Sequence, residues 1–188
     1  MVYTKNGLTK VSVLDQTFGK RQLVLAIGSG GNIVWTPVMF HLHQKNYNIT
    51  HAVKISTFKG RNVTLTSMHG IFIAQQSHTF DTVKFAKDVT IGDSIFVKHG
   101  LQTVVEFVSK IEAVETDGMY SPVTYTGTLV VNDVVVSCHS HLDHYRAQSL
   151  FNLIYRLPKP FQRHLQEQFY NMTTNDWLKL VHTIEKQK

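Results

Sequence analysis

Short runs of apolar and β-branched residues, separated by polar turns, dominate the chain before Cys138. Eight of them have the length and side-chain types of β-strands, and turn dipeptides such as Gly30-Gly31 and Gly92-Asp93 recur between them about every ten residues. No helical period intervenes, so the pattern predicts an all-β sandwich or closed sheet rather than alternating βαβ units. The predicted strands lie at 11–14, 22–27, 33–40, 52–57, 62–66, 71–74, 94–97 and 128–131, and a very apolar run, 129–138, reads as a strand that ends at Cys138.

The hydrophobic period changes after Cys138. Across residues 145–157 the apolar positions recur at three- and four-residue steps, which predicts one face of a helix that two prolines then terminate. A second short helix is predicted over 161–169, and a third is expected to begin at Thr173 or Thr174. A tail of two or three amphipathic helices therefore follows the β-rich part.

Composition narrows the class of protein. The 188 residues are 43% hydrophobic and 17% charged, which is enough apolar material for a folded core. The net charge of +6 comes from scattered single residues, so no nucleic-acid partner is expected. No apolar run approaches the ~18 to 20 residues that cross a bilayer, and the first twenty residues lack the apolar block of a signal peptide.

The most informative local signal is the pair Thr66 and His69, at the end of one predicted strand and just before the next. A hydroxyl and an imidazole three residues apart can converge on one peptide group, where the hydroxyl fixes its position and the imidazole moves a proton. A partly buried, hydrogen-bonded structural histidine is the alternative interpretation of the same pattern.

A second candidate is the segment 138–144, Cys-His-Ser-His-Leu-Asp-His. On an extended strand His139 and His141 would share a face, and with Cys138, Asp143 or His144 they could form a tetrahedral zinc site. An ordinary polar strand end is the favoured alternative, because no other part of the chain offers ligands at matching spacing. We therefore expect neither a metal nor another cofactor. Cys138 itself reads as a small buried hydrophobe.

Four ordered blocks resemble the C-terminal autoprocessing domain of hedgehog proteins, the Hog or Hint domain, and most of all that of nematode hedgehog-related proteins. The resemblance runs from residue 2 to residue 140, and its most specific block includes Gly118, Tyr120, Pro122 and Ser137-Cys138. The blocks are IVWTPVMFHLHQ, HAVKISTFKGRNVTLTSMHGIFIA, DVTIGDSIFV and GMYSPVTYTGTLVVNDVVVSCHS.

The resemblance implies a mainly β, horseshoe-like Hint fold with pseudo-twofold symmetry, over residues 1–140, followed by a helical tail over 141–188. It also implies self-cleavage, in which an opening cysteine attacks the preceding carbonyl and a second nucleophile, a sterol in hedgehog, releases the N-terminal segment. Thr66 would then hydrogen-bond the scissile amide and His69 would protonate the departing amine. Cys138 matches a cysteine that the family has near the end of the domain. The resemblance implies that this cysteine lies near the nucleophile but is not the nucleophile itself.

Two positions depart from the family pattern. The family opens with Cys-Phe-x-Gly-Asp shortly before the strand at Val2, whereas this sequence starts at Met1, so the sequence as given is expected to be inactive. The aspartate that activates the sterol in hedgehog falls at His43, which could act as a base with a pKa closer to neutral.

The expected partners are the domain's own N-terminal segment and a sterol or other lipid acceptor. The helical tail is a possible sterol-recognition region that would hold this acceptor. A monomer is expected, and the family implies the secretory pathway or the extracellular space. The alternative hypothesis is that the chain is a non-catalytic module that binds a lipid or a protein through the apolar faces of the tail. A third hypothesis is a zinc-binding protein.

Overall fold

The computed structural model describes residues 1–14, 22–28, 30–45, 50–75, 79–116, 118–141 and 143–171, together with Asp176, Lys179 and Thr183. The described residues form thirteen strands, two short 3-10 helices (Val11–Val13 and Ala86–Asp88) and two α-helices. The strands are β1 (Val2–Thr4), β2 (Gly7–Thr9), β3 (Leu23–Ile27), β4 (Ile33–Lys45), β5 (Thr50–Thr57), β6 (Asn62–Thr66), β7 (His69–Phe72), β8 (Val83–Phe85), β9 (Ser94–His99), β10 (Gln102–Thr116), β11 (Met119–Thr124), β12 (Thr128–Val131) and β13 (Val134–Ser140); the helices are α1 (His144–Tyr155) and α2 (Lys159–Asn171).

The mainly β fold predicted from the sequence is confirmed, with two local corrections. The segment 11–14 is a 3-10 helix rather than a strand, because it turns back to bury Leu14 in the core while Val13 stays exposed. The run 129–138 is not one strand but the β12–β13 hairpin, since Asn132 and Asp133 both have positive φ, at 49° and 64°. Two such residues form the tight turn whose twist matches a hairpin, and Asn and Asp tolerate it better than other side chains.

All strands belong to one curled, antiparallel sheet in which two similar units exchange strands. In each unit a short strand, β3 or β9, is followed by a long one, β4 or β10, and the two pair as a hairpin. The far half of β4 pairs with β11, which follows β10 in the sequence, and the far half of β10 pairs with β5, which follows β4. This exchange gives the sheet the expected pseudo-twofold arrangement, with the β12–β13 hairpin near its middle.

Helix α1 packs against the sheet. Its predicted apolar face is confirmed for Ala147, Phe151 and Ile154, which are buried, and the ring of Phe151 lies 5.9 Å from that of Phe40. Leu157, predicted on the same face, lies beyond the end of α1 and is exposed. Gln148 fills the space above Gly127, where a Cβ atom would overlap its amide oxygen. The first helix of the tail is thus part of the core of the β domain.

The second predicted helix is present as α2, with Leu165 against the core and Phe161 exposed. The expected start of the third helix lies outside the described residues. Within those residues, no helix has the length and apolar character needed to cross a membrane.

Candidate functional site

Three of the four predicted site residues line one cavity of about 360 Å³. Thr66 ends β6, His69 begins β7, and Cys138 lies near the end of β13. The chain passes from the outer strand β6 to the side of β13 through only Ser67 and Met68, which holds the hydroxyl and the imidazole together. Val131, which pairs with Val2 of the N-terminal strand, also lines the cavity. The site therefore lies beside the N-terminal end of the β domain.

His69 is held by the backbone of β13. Its Nε2 atom lies 2.8 Å from the carbonyl oxygen of Ser137, and because a carbonyl only accepts, Nε2 carries the proton. Burial lowers the pKa of His69, an effect that the Ser137 carbonyl opposes, and His141 lowers it further. The ring is therefore neutral at pH 7, with an unprotonated Nδ1 that can accept a proton.

Thr66 presents a buried hydroxyl whose hydrogen-bonding capacity is unused. Its Oγ1 has no hydrogen-bond partner among the described residues, although it is shielded from solvent. Leaving a buried hydroxyl unpaired costs about 1–3 kcal/mol, so a hydrogen bond to a group that enters the cavity would be favourable. This hydroxyl is suited to bond a peptide group that enters the cavity.

Cys138 is present in the site as a protonated thiol. Burial raises the pKa of Cys138 to about 11, with a partly offsetting contact of 3.5 Å to the hydroxyl of Thr124. Because the thiolate is the reactive form, this side chain is a poor nucleophile and a poor metal ligand at neutral pH. That Cys138 lies near the reaction without being the attacking group stays a prediction from the family resemblance.

The fourth predicted residue, His43, lies in β4 where its pairing with β11 is interrupted. Gln44 pairs with Tyr120 and His41 with Pro122, so that Leu42 and His43 together oppose the single residue Ser121. Such a β-bulge re-aims side chains and is common beside active sites. The side chain of His43 lies outside the described residues, while Ser121 and Pro122 opposite it line the cavity.

The candidate zinc cluster is dispersed. Cys138 faces the cavity, whereas His139 points to the other side of β13, stacks on Phe151 and bonds Gln148 Oε1 at 3.0 Å. His141 has φ of 64° and lies beyond the end of β13, so the two histidines do not share a strand face as expected. No group of three or more His, Cys, Asp or Glu side chains suited to a metal occurs in the described part of the chain.

Two residues of the site, Ser137 and Gly70, are not among the site residues predicted from the sequence. Ser137 orients His69 through its carbonyl, and Gly70 lets β7 approach β13, since a Cβ there would lie 3.0 Å from Ser137 Cβ. A glycine directly after a candidate catalytic residue in a strand is a sequence signal of close backbone approach. The role of the Ser137 carbonyl has no sequence signal, because every residue has a carbonyl.

Comparison with protein families decides the class. A family model described as the Hint module matches residues 1–186. The chain belongs to the Hint module family. This Hint module thus falls in the hedgehog-type and intein-like group of autoprocessing domains, as the resemblance of the four sequence blocks implied.

Its sequence relatives include nematode and vertebrate proteins. Warthog protein 6 of Caenorhabditis elegans is 35% identical over 127 residues, which are 66% of this chain and 21% of that protein. Warthog protein 4 of the same organism is 28% identical over 80% of this chain and 30% of its own length, and Sonic hedgehog protein of Xenopus laevis is 27% identical over 76% and 32%. The Hint module thus spans a third or less of the length of these relatives.

Solved intein structures share the fold. The Ssp DnaB mini-intein variant M86 superimposes with a TM-score of 0.60 at 13% identity, over 76% of this chain and 90% of that one. The gp41-1 intein does so with a TM-score of 0.53 at 16% identity, over 72% and 91%. At such low identity the likeness establishes the Hint fold alone.

Proposed function

We propose that this Hint module cleaves the peptide bond that joins a preceding segment to its N-terminal strand, by an acyl shift onto an opening cysteine. The observation that carries the proposal is the juxtaposition of an unpartnered Thr66 hydroxyl and a neutral His69 in one cavity beside β1. Cys138 is the single cysteine of the 188 residues and is buried, so the proposal requires a thiol that precedes β1, as in the family pattern.

The first step balances with the groups in the cavity. The opening thiol transfers its proton to Nδ1 of His69, and the sulfur bonds to the carbonyl carbon of the preceding residue. The carbon–nitrogen bond then breaks, and the proton on Nδ1 passes to the departing amine, which is the cysteine's own nitrogen. Thr66 Oγ1 hydrogen-bonds the scissile peptide group and fixes its position during the transfer. The products are a thioester and a free amino group.

A lipid alcohol is the proposed acceptor of the thioester. Its oxygen bonds to the carbonyl carbon, the carbon–sulfur bond breaks, and His43 takes the hydroxyl proton, which then passes to the released sulfur. Leu153, Leu157 and Phe161 are exposed apolar side chains where α1 meets α2, and they support an apolar ligand held by the helical tail. A protein of this kind is proposed to act in the secretory pathway or outside the cell.

The test is a fusion in which a small folded protein and Cys-Phe-x-Gly-Asp precede β1. Dithiothreitol should release the small protein, and the rate should fall about 10²- to 10⁴-fold in His69→Ala, because a positioned proton-transfer group contributes that much. Thr66→Val, which keeps the shape but removes the hydroxyl, should slow cleavage as well. His51→Ala is the matched control, because that imidazole is exposed on β5. A folded fusion that stays intact, or one in which His69→Ala is as fast as the parent, would overturn the proposal.

The acceptor is tested separately with the same fusion. Cholesterol in detergent micelles should replace dithiothreitol, and His43→Gln should slow cholesterol-dependent release while leaving thiol-dependent release unchanged. The difference is expected because a thiolate needs no base, whereas an alcohol does. Equal slowing of both reactions would remove His43 from the acceptor step.

A further inference from the structure

A bulge in β13 lies directly against His69. Val136 pairs with Ile71 and Ser140 with His69, so β13 advances four residues while β7 advances two. The extra residues include Ser137, whose carbonyl leaves the regular ladder and accepts the hydrogen bond from the His69 ring. The bulge thus converts a backbone carbonyl into the group that orients the imidazole.

The side chain of Ser137 closes the bulge from the inside. Its Oγ accepts the backbone N–H of His139 at 3.0 Å, which satisfies a donor that the interrupted ladder leaves without a strand partner. The same oxygen lies 3.0 Å from Nδ1 of His144. Since the hydroxyl can donate one hydrogen bond while it accepts others, it binds both groups at once.

The side chain of His144 is held in place by packing and by the start of helix α1. His144 is the first residue of α1, only 5% exposed, and its ring packs edge-on against Phe72 at 4.9 Å. Asp143 caps the helix by accepting the backbone N–H of Arg146 at 3.0 Å. Burial lowers the pKa of His144 to about 4, so the ring is neutral and its Nδ1 can accept a hydrogen bond from the Ser137 hydroxyl.

We propose that His144 is a positioning residue for His69: through Ser137 Oγ it holds the β13 bulge in which the Ser137 carbonyl selects the Nε2–H tautomer of His69. This role rests on the proposed function, in which Nδ1 of His69 must be free to accept a proton. Without the His144 bond, Ser137 Oγ can turn away from His139, the bulge relaxes, and its carbonyl no longer fixes the ring. Helix α1, at the start of the tail, thereby supports the geometry of the cleavage site.

Imidazole ¹⁵N chemical shifts test the proposal without any cleavage reaction, because protonated and unprotonated ring nitrogens resonate far apart. The chain labelled with ¹⁵N-histidine carries eleven such rings, and His69 is identified by the loss of its signals in His69→Gln. In the parent chain His69 should be a single Nε2–H tautomer. In His144→Phe, which keeps a ring against Phe72 but cannot bond Ser137, the signals should shift towards a mixture of tautomers.

His144→Asn supplies the rescue, because an Asn side chain places a hydrogen-bonding atom where Nδ1 lies and should restore the single tautomer. Ser137→Ala should resemble His144→Phe, and it keeps the test decisive if the Phe variant does not fold. In the cleavable fusion, both His144→Phe and Ser137→Ala should lower the dithiothreitol-dependent rate on the order of 10²-fold, with recovery in His144→Asn.

The outcomes are separable from those of the proposed function. A folded His144→Phe or Ser137→Ala chain in which His69 keeps its single Nε2–H tautomer would overturn the positioning role, whatever the fusion does. A parent fusion that does not cleave would overturn the proposed function, while the tautomer comparison would still decide whether His144 orients His69.

Discussion

Gly70→Ala is the perturbation that most directly tests the packing that creates the site. Gly70 follows His69 in β7, and the backbone there has no positive φ, so alanine is conformationally acceptable. The added Cβ would lie 2.9 Å from Val83 Cγ1 and 3.0 Å from Ser137 Cβ. Because carbon atoms in contact normally lie ~3.5–4.0 Å apart, β7 must move away from its neighbours by about half an ångström.

The cost follows from overpacking a buried position. Gly70, Val83 and Ser137 belong to paired strands, so relief requires a backbone shift rather than a side-chain rotation, and such insertions cost about 1–3 kcal/mol. The same shift lengthens the 2.8 Å hydrogen bond between His69 and Ser137 and weakens the selection of its tautomer. We therefore expect lower stability together with slower cleavage in the fusion.

Urea unfolding followed by circular dichroism measures the stability, and thermal unfolding should show a midpoint lowered by about 2–4 °C per kcal/mol. Gly30→Ala is the matched control, since its φ is also not positive and its nearest contact, Asn32 Nδ2, is a relaxed 3.7 Å. It should change stability by less than about 1 kcal/mol. A Gly70→Ala protein as stable as Gly30→Ala, with unchanged His69 ring signals, would refute the close packing of β7 on β13.

Two further predictions concern buried titratable groups. Burial lowers the pKa of His139 to about 3 and that of His144 to about 4, whereas both rings titrate near 6.5 in the unfolded chain. The unfolded chain therefore binds more protons below pH 6.5, and the free energy of unfolding should be highest above that pH. Towards pH 4 it should fall by about 1.4 kcal/mol per pH unit for each ring. Urea midpoints measured from pH 7 to pH 4.5 check this, and a flat profile would contradict the neutral burial of the rings. Cys138 is buried, and its pKa is raised to about 11. Its reaction with iodoacetamide at pH 8 should therefore be at least about 10²-fold slower in the folded chain than in urea. Mass spectrometry measures both rates. Equal rates would mean that the thiol is exposed.

Local patterns predicted much of the fold for a physical reason. The run 22–27 is almost continuously apolar, as a strand buried on both faces requires, and the run 62–66 alternates apolar and polar residues, as a half-buried strand requires. Both patterns are independent of the strand's partner. The face of α1 was predictable because its 3.6-residue period is local. The pattern did not predict the 15-residue strand β10, because its two halves pair with different strands, β9 and β5, and a register shift after Val108 interrupts its burial period.

The family and the β-rich class could be recognised from the chain alone, because ordered motifs and hydrophobic periodicity are properties of the sequence. That Thr66, His69 and Cys138 share a cavity depends on the fold, since β6 pairs with β5 whereas β7 and β13, far apart in the sequence, pair with each other. The fold also decided how His69 is oriented: a carbonyl of β13 and a histidine of α1 meet the ring only after the bulge and the helix have packed. Residue identity specifies which groups can react, whereas the folded backbone specifies which of their atoms are free to do so.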